Sequence, residues 1–121
     1  MKRIAAHYIL VNNSHLARKS ILYLDKEQCV ESLRALNHET PSTIFFNGIV
    51  FALEKSRLPT ISEIIRWQEE NKNKNIVDFL KNFGVEKITS EVHISHLHVI
   101  LDLDFEHLVA TDASRIRIVS A

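Results

Sequence analysis

The chain has 121 residues, 45% of them hydrophobic and 25% charged, which is enough to bury one core and too little for two. Fifteen basic residues balance fifteen acidic ones, so no global field favours nucleic acid or a membrane surface. Two Gly and two Pro exclude collagen-like and low-complexity classes, and the lone Cys29 excludes an internal disulfide and fits a reducing compartment.

Met1-Lys2-Arg3 ahead of an apolar run resembles the start of a signal peptide. However, His7 interrupts the run, and no small-residue cleavage pattern follows Asn12-Asn13. Residues 3–11 are therefore expected to form a first strand of a cytoplasmic protein. Apolar residues fall on both parities there, which predicts a strand covered on both faces. No stretch reaches the roughly 18 apolar residues of a membrane span.

Asn12-Asn13-Ser14 signals a turn, and residues 20–24 (Ser-Ile-Leu-Tyr-Leu) a second strand. After Asp25-Lys26-Glu27, residues 29–33 are expected to return as its hairpin partner. Glu31-Ser32-Leu33-Arg34-Ala35-Leu36 reads equally as the start of a short helix. Residues 37–42 are polar, contain Pro41 and are expected to be a loop. Residues 43–53 are an aromatic and β-branched strand, in which Gly48 predicts a bulge or a close backbone approach.

Thr60-Ile61-Ser62-Glu63 is a capping-box pattern. Behind it Ile61, Ile64, Ile65 and Gln68 lie along one helical stripe, with Trp67 at its edge. Asn75 and Asp78 can cap a second helix carrying Ile76, Val77, Phe79, Leu80 and Phe83, and Gly84 stands where a left-handed terminator belongs.

Strand character returns from Val85. Val92 and Ile94 share a parity with His96 and His98, whereas Leu97, Val99, Leu101 and Leu103 have the other. One strand cannot bury both sets, so a turn or bulge is expected near Ser95-His96. Asp104 should start a single helical turn over Phe105-Glu106-His107-Leu108. Asp112-Ala113-Ser114 is a turn, and residues 115–119 alternate as a last strand.

The fold expected is α+β: one domain over residues 1–121, a small, mostly antiparallel β-sandwich or curled sheet. Strands would occupy 3–53 and 85–119, helices 60–83, and the first and last strands would lie in the same structure.

The order of pieces resembles the non-barrel parts of the amidohydrolase superfamily, the metal-dependent hydrolases related to cytosine and adenosine deaminases. Phe45-Phe46-Asn47-Gly48-Ile49-Val50 is similar to that family's approach to its first barrel strand. Pro59-Thr60-Ile61-Ser62-Glu63-Ile64-Ile65-Arg66-Trp67 and residues 75–84 are similar to its late helices, and Leu97-His98-Val99-Ile100-Leu101-Asp102 to its closing strand. The resemblance implies a composite β-sandwich domain built from both chain ends. The family's His-x-His metal pair would follow the approach strand, but here Val50-Phe51-Ala52-Leu53 leads through Glu54-Lys55-Ser56-Arg57 to Pro59. A (β/α)₈ barrel takes about 250 residues, for which this chain has no room. The implied protein is a barrel-less remnant without hydrolase activity, catalytic residues or cofactor.

His93, His96 and His98, with Asp102, form the one ligand-like spacing. On a strand His96 and His98 would share a face about 7 Å apart. Three nitrogens and a carboxylate suit zinc or nickel, and His7 would join if the terminal strands paired. The alternative function is therefore a small metal-binding protein. A solvent-facing or structural role for these histidines is the simpler reading. Cys29 has no motif around it that would make it a nucleophile, and Arg115 and Arg117 share a strand face that could meet phosphate or a partner carboxylate, an exposed edge face being the simpler reading. In the resembled family the helices cover the barrel. Without one, Ile64, Trp67, Phe79 and Phe83 must either pack on the chain's own sheet or bury against a partner, a second copy or another protein, with a homodimer the favoured assembly.

Overall fold

The computed structural model describes residues 2–35 and 43–119. The expected loop at 37–42 lies outside them. Among the described residues six strands form a single sheet in the order β3-β2-β1-β4-β5-β6. They are β1 (Lys2–Asn12), β2 (His15–Leu24), β3 (Val30–Ala35), β4 (Thr43–Ala52), β5 (Leu97–Leu101) and β6 (Arg115–Ile118). Helices α1 (Ile61–Glu70) and α2 (Ile76–Phe83) lie between β4 and β5 in sequence. The fold is α+β, and its sheet is one open layer rather than a sandwich. Every pairing is antiparallel except β1 with β4.

β1 is interior because its sequence is apolar on both parities. Ile4, Ala5, Ala6, Ile9 and Leu10 are all buried, so neither face of the strand can be left to water. β2 begins at His15, five residues before the expected start. Arg18-Lys19 breaks the apolar pattern, and Lys19 sits at a left-handed φ of 44° while the strand continues through it. β3 is a strand, so the helical alternative for 31–36 does not hold over its described part. Gly48 meets both expectations. The β1–β4 register slips between Ala6 and Tyr8, opposite the Phe46-to-Ile49 stretch, and a Cβ on Gly48 would collide with the Ile100 carbonyl oxygen.

Both helices start as their sequences predict. The Thr60 hydroxyl accepts from Glu63 N–H at 3.1 Å, and Asn75 Oδ1 accepts from Val77 N–H and Asp78 N–H at 2.9 and 3.2 Å. Gly84 ends α2 at φ 90°. Ile64, Ile76, Val77, Phe79 and Leu80 face one side of the sheet and pack with Leu10, Ile49, Phe51, Leu53 and Ile100. Each such side chain removed from water contributes about 1.5–3 kcal/mol.

The opposite face carries Ile4, Ala6, Ile9, Leu22, Leu24, Val50, Ala52, Leu97 and Val99. It is covered by residues 85–96, where strands were expected. Among the described residues its strand pairing is limited to isolated bridges, Cys29 to His93 and Ala52 to Glu86. It contributes Ile88 and Ile94 to the core, and is tied down by Ile88 N–H to Val11 O at 2.7 Å and Val30 N–H to Val92 O at 2.7 Å. The expected phase break is a 3-10 turn, Ile94–His96, directly before β5. No helix among the described residues is long and apolar enough to cross a membrane.

Candidate functional site

The three histidines of the 93–98 stretch do not converge. His93 precedes the 3-10 turn and caps it. Its Nδ1 accepts from Ser95 N–H at 3.1 Å and lies 2.8 Å from the Ser95 hydroxyl. His96 ends that turn and therefore loses the strand phase it would need to share a face with His98. It is half-exposed, with Nδ1 3.5 Å from Glu86 Oε1. That distance suits an ion pair when the imidazole is protonated, but the two atoms are not aligned as a hydrogen bond, and Glu86 Oε1 is shielded from solvent.

His98 is the one histidine on β5, paired with Phe51 on one side and Ile118 on the other. It is fully buried. Nε2 donates to the Leu53 carbonyl at 3.0 Å, which leaves Nδ1 as a buried acceptor without a partner. Desolvation lowers its pKa, and the charges of His96 and Lys55 act in the same direction. The Leu53 carbonyl and the Glu86 carboxylate oppose them. At neutral pH this is an uncharged core residue.

Asp102 leaves the strand line at φ 57° and pairs with Arg115, its Oδ2 3.2 Å from Arg115 Nη2. It does not join the histidines. Arg115 and Arg117 are both exposed on the outer strand β6, as the edge-face reading expects, and the carboxylate that Arg115 meets belongs to its own chain rather than to a partner. His7 lies two strands away from β5, in ring contact with Phe45 (5.1 Å) and Phe105 (4.6 Å). Strands β1 and β6 share the sheet without pairing, so His7 cannot complete a set with His96 and His98.

One grouping of potential ligands among the described residues was missed by spacing arguments. Asp104, Glu106 and His107 place one ligand atom each within 4.8 Å of the others. The signal was the expected helical turn itself, which gathers an Asp, a Glu and a His within four residues. Its bonds are those of a turn. Asp104 Oδ1 accepts from Glu106 N–H (3.0 Å) and His107 N–H (3.3 Å), and Oδ2 accepts from His107 Nδ1 at 2.9 Å. The hydrogen bond to Asp104 raises the His107 pKa, and the bond from His107 lowers that of Asp104.

Cys29 is half-buried, and its thiol is held above its ordinary pKa by desolvation and by the carboxylates of Asp25, Glu27 and Glu91. That is the reverse of what a nucleophile needs. An open cleft of about 490 Å³ lies between Glu54, Lys55, Ser56, Ser95, His96 and Ile118. Of its lining groups, the Ser95 hydroxyl lies 2.8 Å from His93 Nδ1, an exposed contact in which the same nitrogen also accepts from Ser95 N–H to cap the 3-10 turn, and His96 lies against Glu86.

Of the apolar residues set aside for a partner, Ile64 and Phe79 are buried in the chain's own core and present nothing outward. Trp67 and Phe83 are half-buried at its rim, in ring contact with Phe79 at 5.5 and 5.7 Å. Among the described residues, the large apolar side chains left exposed are Ile44, Phe45 and Ile118, on the sheet rather than the helices. Comparisons with protein-family models, curated proteins and solved structures find no match for this chain.

Proposed function

We propose that the chain is a non-catalytic binding or assembly module that works in the cytoplasm as a homodimer or with a protein partner. On this reading it is the barrel-less counterpart of an amidohydrolase composite domain, with the resemblance of residues 45–50, 59–67, 75–84 and 97–102 as its motive. The observation that carries the reading is the use made of the polar side chains. His93 caps a turn, His98 is a neutral core residue, Asp102 holds Arg115 and Asp104 organises residues 104–107. Meanwhile Ile44, Phe45 and Ile118 stand in water, where burial against protein would be favourable.

The competing reading is a transition-metal protein, now centred on Asp104, Glu106 and His107 rather than on His93, His96, His98 and Asp102. Metal analysis of untagged protein by plasma mass spectrometry separates the two. The module reading expects no stoichiometric metal. About one metal per chain, lost on His107→Ala, would overturn it in favour of the turn site. Loss on His96→Ala with His98→Ala would restore the strand cluster.

A further inference from the structure

The sheet has an open edge in its interior. β4 pairs with β1 from Thr43 onward, but β5 accompanies it only from Gly48 to Ala52. β5 stops at Leu101, opposite Gly48, and Asp102 turns out of the strand line at φ 57°. On the β5 side, residues 43–47 therefore have no strand beside them among the described residues. Ile44 is 40% exposed and Phe45 51%, on opposite faces of the strand. An uncovered edge flanked by apolar side chains is a template for another strand.

We propose that this edge pairs with the same edge of a second copy, forming a homodimer through antiparallel β4 strands. The inference rests on the assembly reading above and names its surface. A two-fold axis normal to the sheet keeps each face continuous, so residues of like parity must oppose one another. Centred on Phe45, that symmetry sets Phe45 against the partner's Phe45 on one face. On the other it sets Ile44 against the partner's Phe46, and at the ends Thr43 against the partner's Asn47. Apolar meets apolar at every inner position, polar meets polar at the rim, and no charge is present in the five residues.

The outer edges lack this complementarity. In β6 a two-fold through Arg115, Ile116 or Arg117 opposes an arginine to an arginine of the copy, which is repulsive, and one through Ile118 keeps only the last residue of the strand within the pairing. β3 carries exposed Glu31 and Arg34, and its first residue is already bonded on that side through Val30 N–H to Val92 O and Glu91 N–H to Val30 O. Charges on outer edges are a recognised guard against pairing. The 43–47 stretch has no such guard.

The test uses charge at the axis. Phe45→Lys places Lys opposite Lys, and Phe45→Glu places Glu opposite Glu, so light scattering after size exclusion should find each variant dissociated at concentrations where the wild type is dimeric. An equimolar mixture should re-form a dimer, with affinity recovered by about tenfold or more over either variant alone. Independently, Phe45→Cys in a Cys29→Ser background should give a disulfide-linked dimer on mild oxidation, because directly opposed residues fall within disulfide reach. Circular dichroism on each variant confirms that it is folded. A wild-type dimer that survives both charge variants and yields no cross-link overturns this interface while leaving the assembly reading intact. A wild type that is monomeric up to millimolar concentration overturns the interface outright, and the metal analysis then decides the assembly reading separately.

Discussion

His98 shows most clearly what one residue does to the whole. A fully buried imidazole whose Nε2 serves the Leu53 carbonyl is stable only while neutral, since protonation would place a charge in the core. Its folded pKa lies below its unfolded value, so the unfolded chain takes up the proton more readily. The stability it contributes is present above about pH 6.5 and is lost as the pH falls from there through the folded value. His107 has the opposite sign. Its pKa is raised beside Asp104, so its contribution is present below the unfolded value and fades as the pH rises through the folded one. Urea midpoints for wild type and His98→Gln between pH 7.5 and 5 separate them. The wild type should lose stability faster on acidification, and equal slopes would rule out a buried neutral His98. Gly48 is the second residue on which much depends. With the Ile100 carbonyl against its α-carbon, Gly48→Ala should cost about 2 kcal/mol or more, read as a shift in the same midpoint.

Among the elements, the helices were the most legible in the sequence, because caps are local chemistry. Thr60 with Glu63 and Asn75 with Asp78 satisfy amides three residues away, and no tertiary contact can rewrite that. Thr60→Ala and Asn75→Ala should each cost about 1 kcal/mol, with Asn75 the larger because its Oδ1 serves two amides. The half-buried Gln68 was read only as part of the apolar stripe, yet it acts as a backbone mimic. Its amide donates to Ala110 O at 3.0 Å and accepts from Ala110 N–H at 2.8 Å, tying residues 104–111 to α1. Gln68→Leu leaves both groups without partners and should destabilise the fold by about 2 kcal/mol, measured by thermal or urea unfolding. The first half of β2 was not legible, because Arg18-Lys19 interrupts its apolar pattern and Lys19 takes a left-handed conformation inside the strand. Residues 85–96 were misread for a related reason. Val85, Ile88 and Ile94 are buried, as strand residues would be, but the segment crosses a face of the sheet instead of joining its ladder. The His cluster failed with it, since His96 belongs to the 3-10 turn that the phase break required.

For the whole molecule, topology decides which hydrogen bonds are secure. β1 has a partner strand along both edges and a covered core on both faces, so its amides should exchange only through global unfolding. β4 is divided. Residues 48–52 pair with β5, and Ile49 and Val50 with β1 as well, whereas residues 43–46 pair with β1 alone. In a dilute monomer, outward-facing amides in 43–47 should exchange orders of magnitude faster than those in 48–52, despite belonging to the same strand and sharing its β1 partner. If the edge pairs with its copy, raising the protein concentration must slow exchange at 43–47. It must leave the outer amides of β6, guarded by Arg115 and Arg117, as fast as before. Hydrogen exchange at two concentrations, resolved by peptide or by residue, reads both regions in one experiment. Equal protection of 43–47 at both concentrations would count against pairing there. Protection that instead appeared at β6 would mean that its arginines do not guard that edge, and that Ile118, exposed on the same strand, marks the contact.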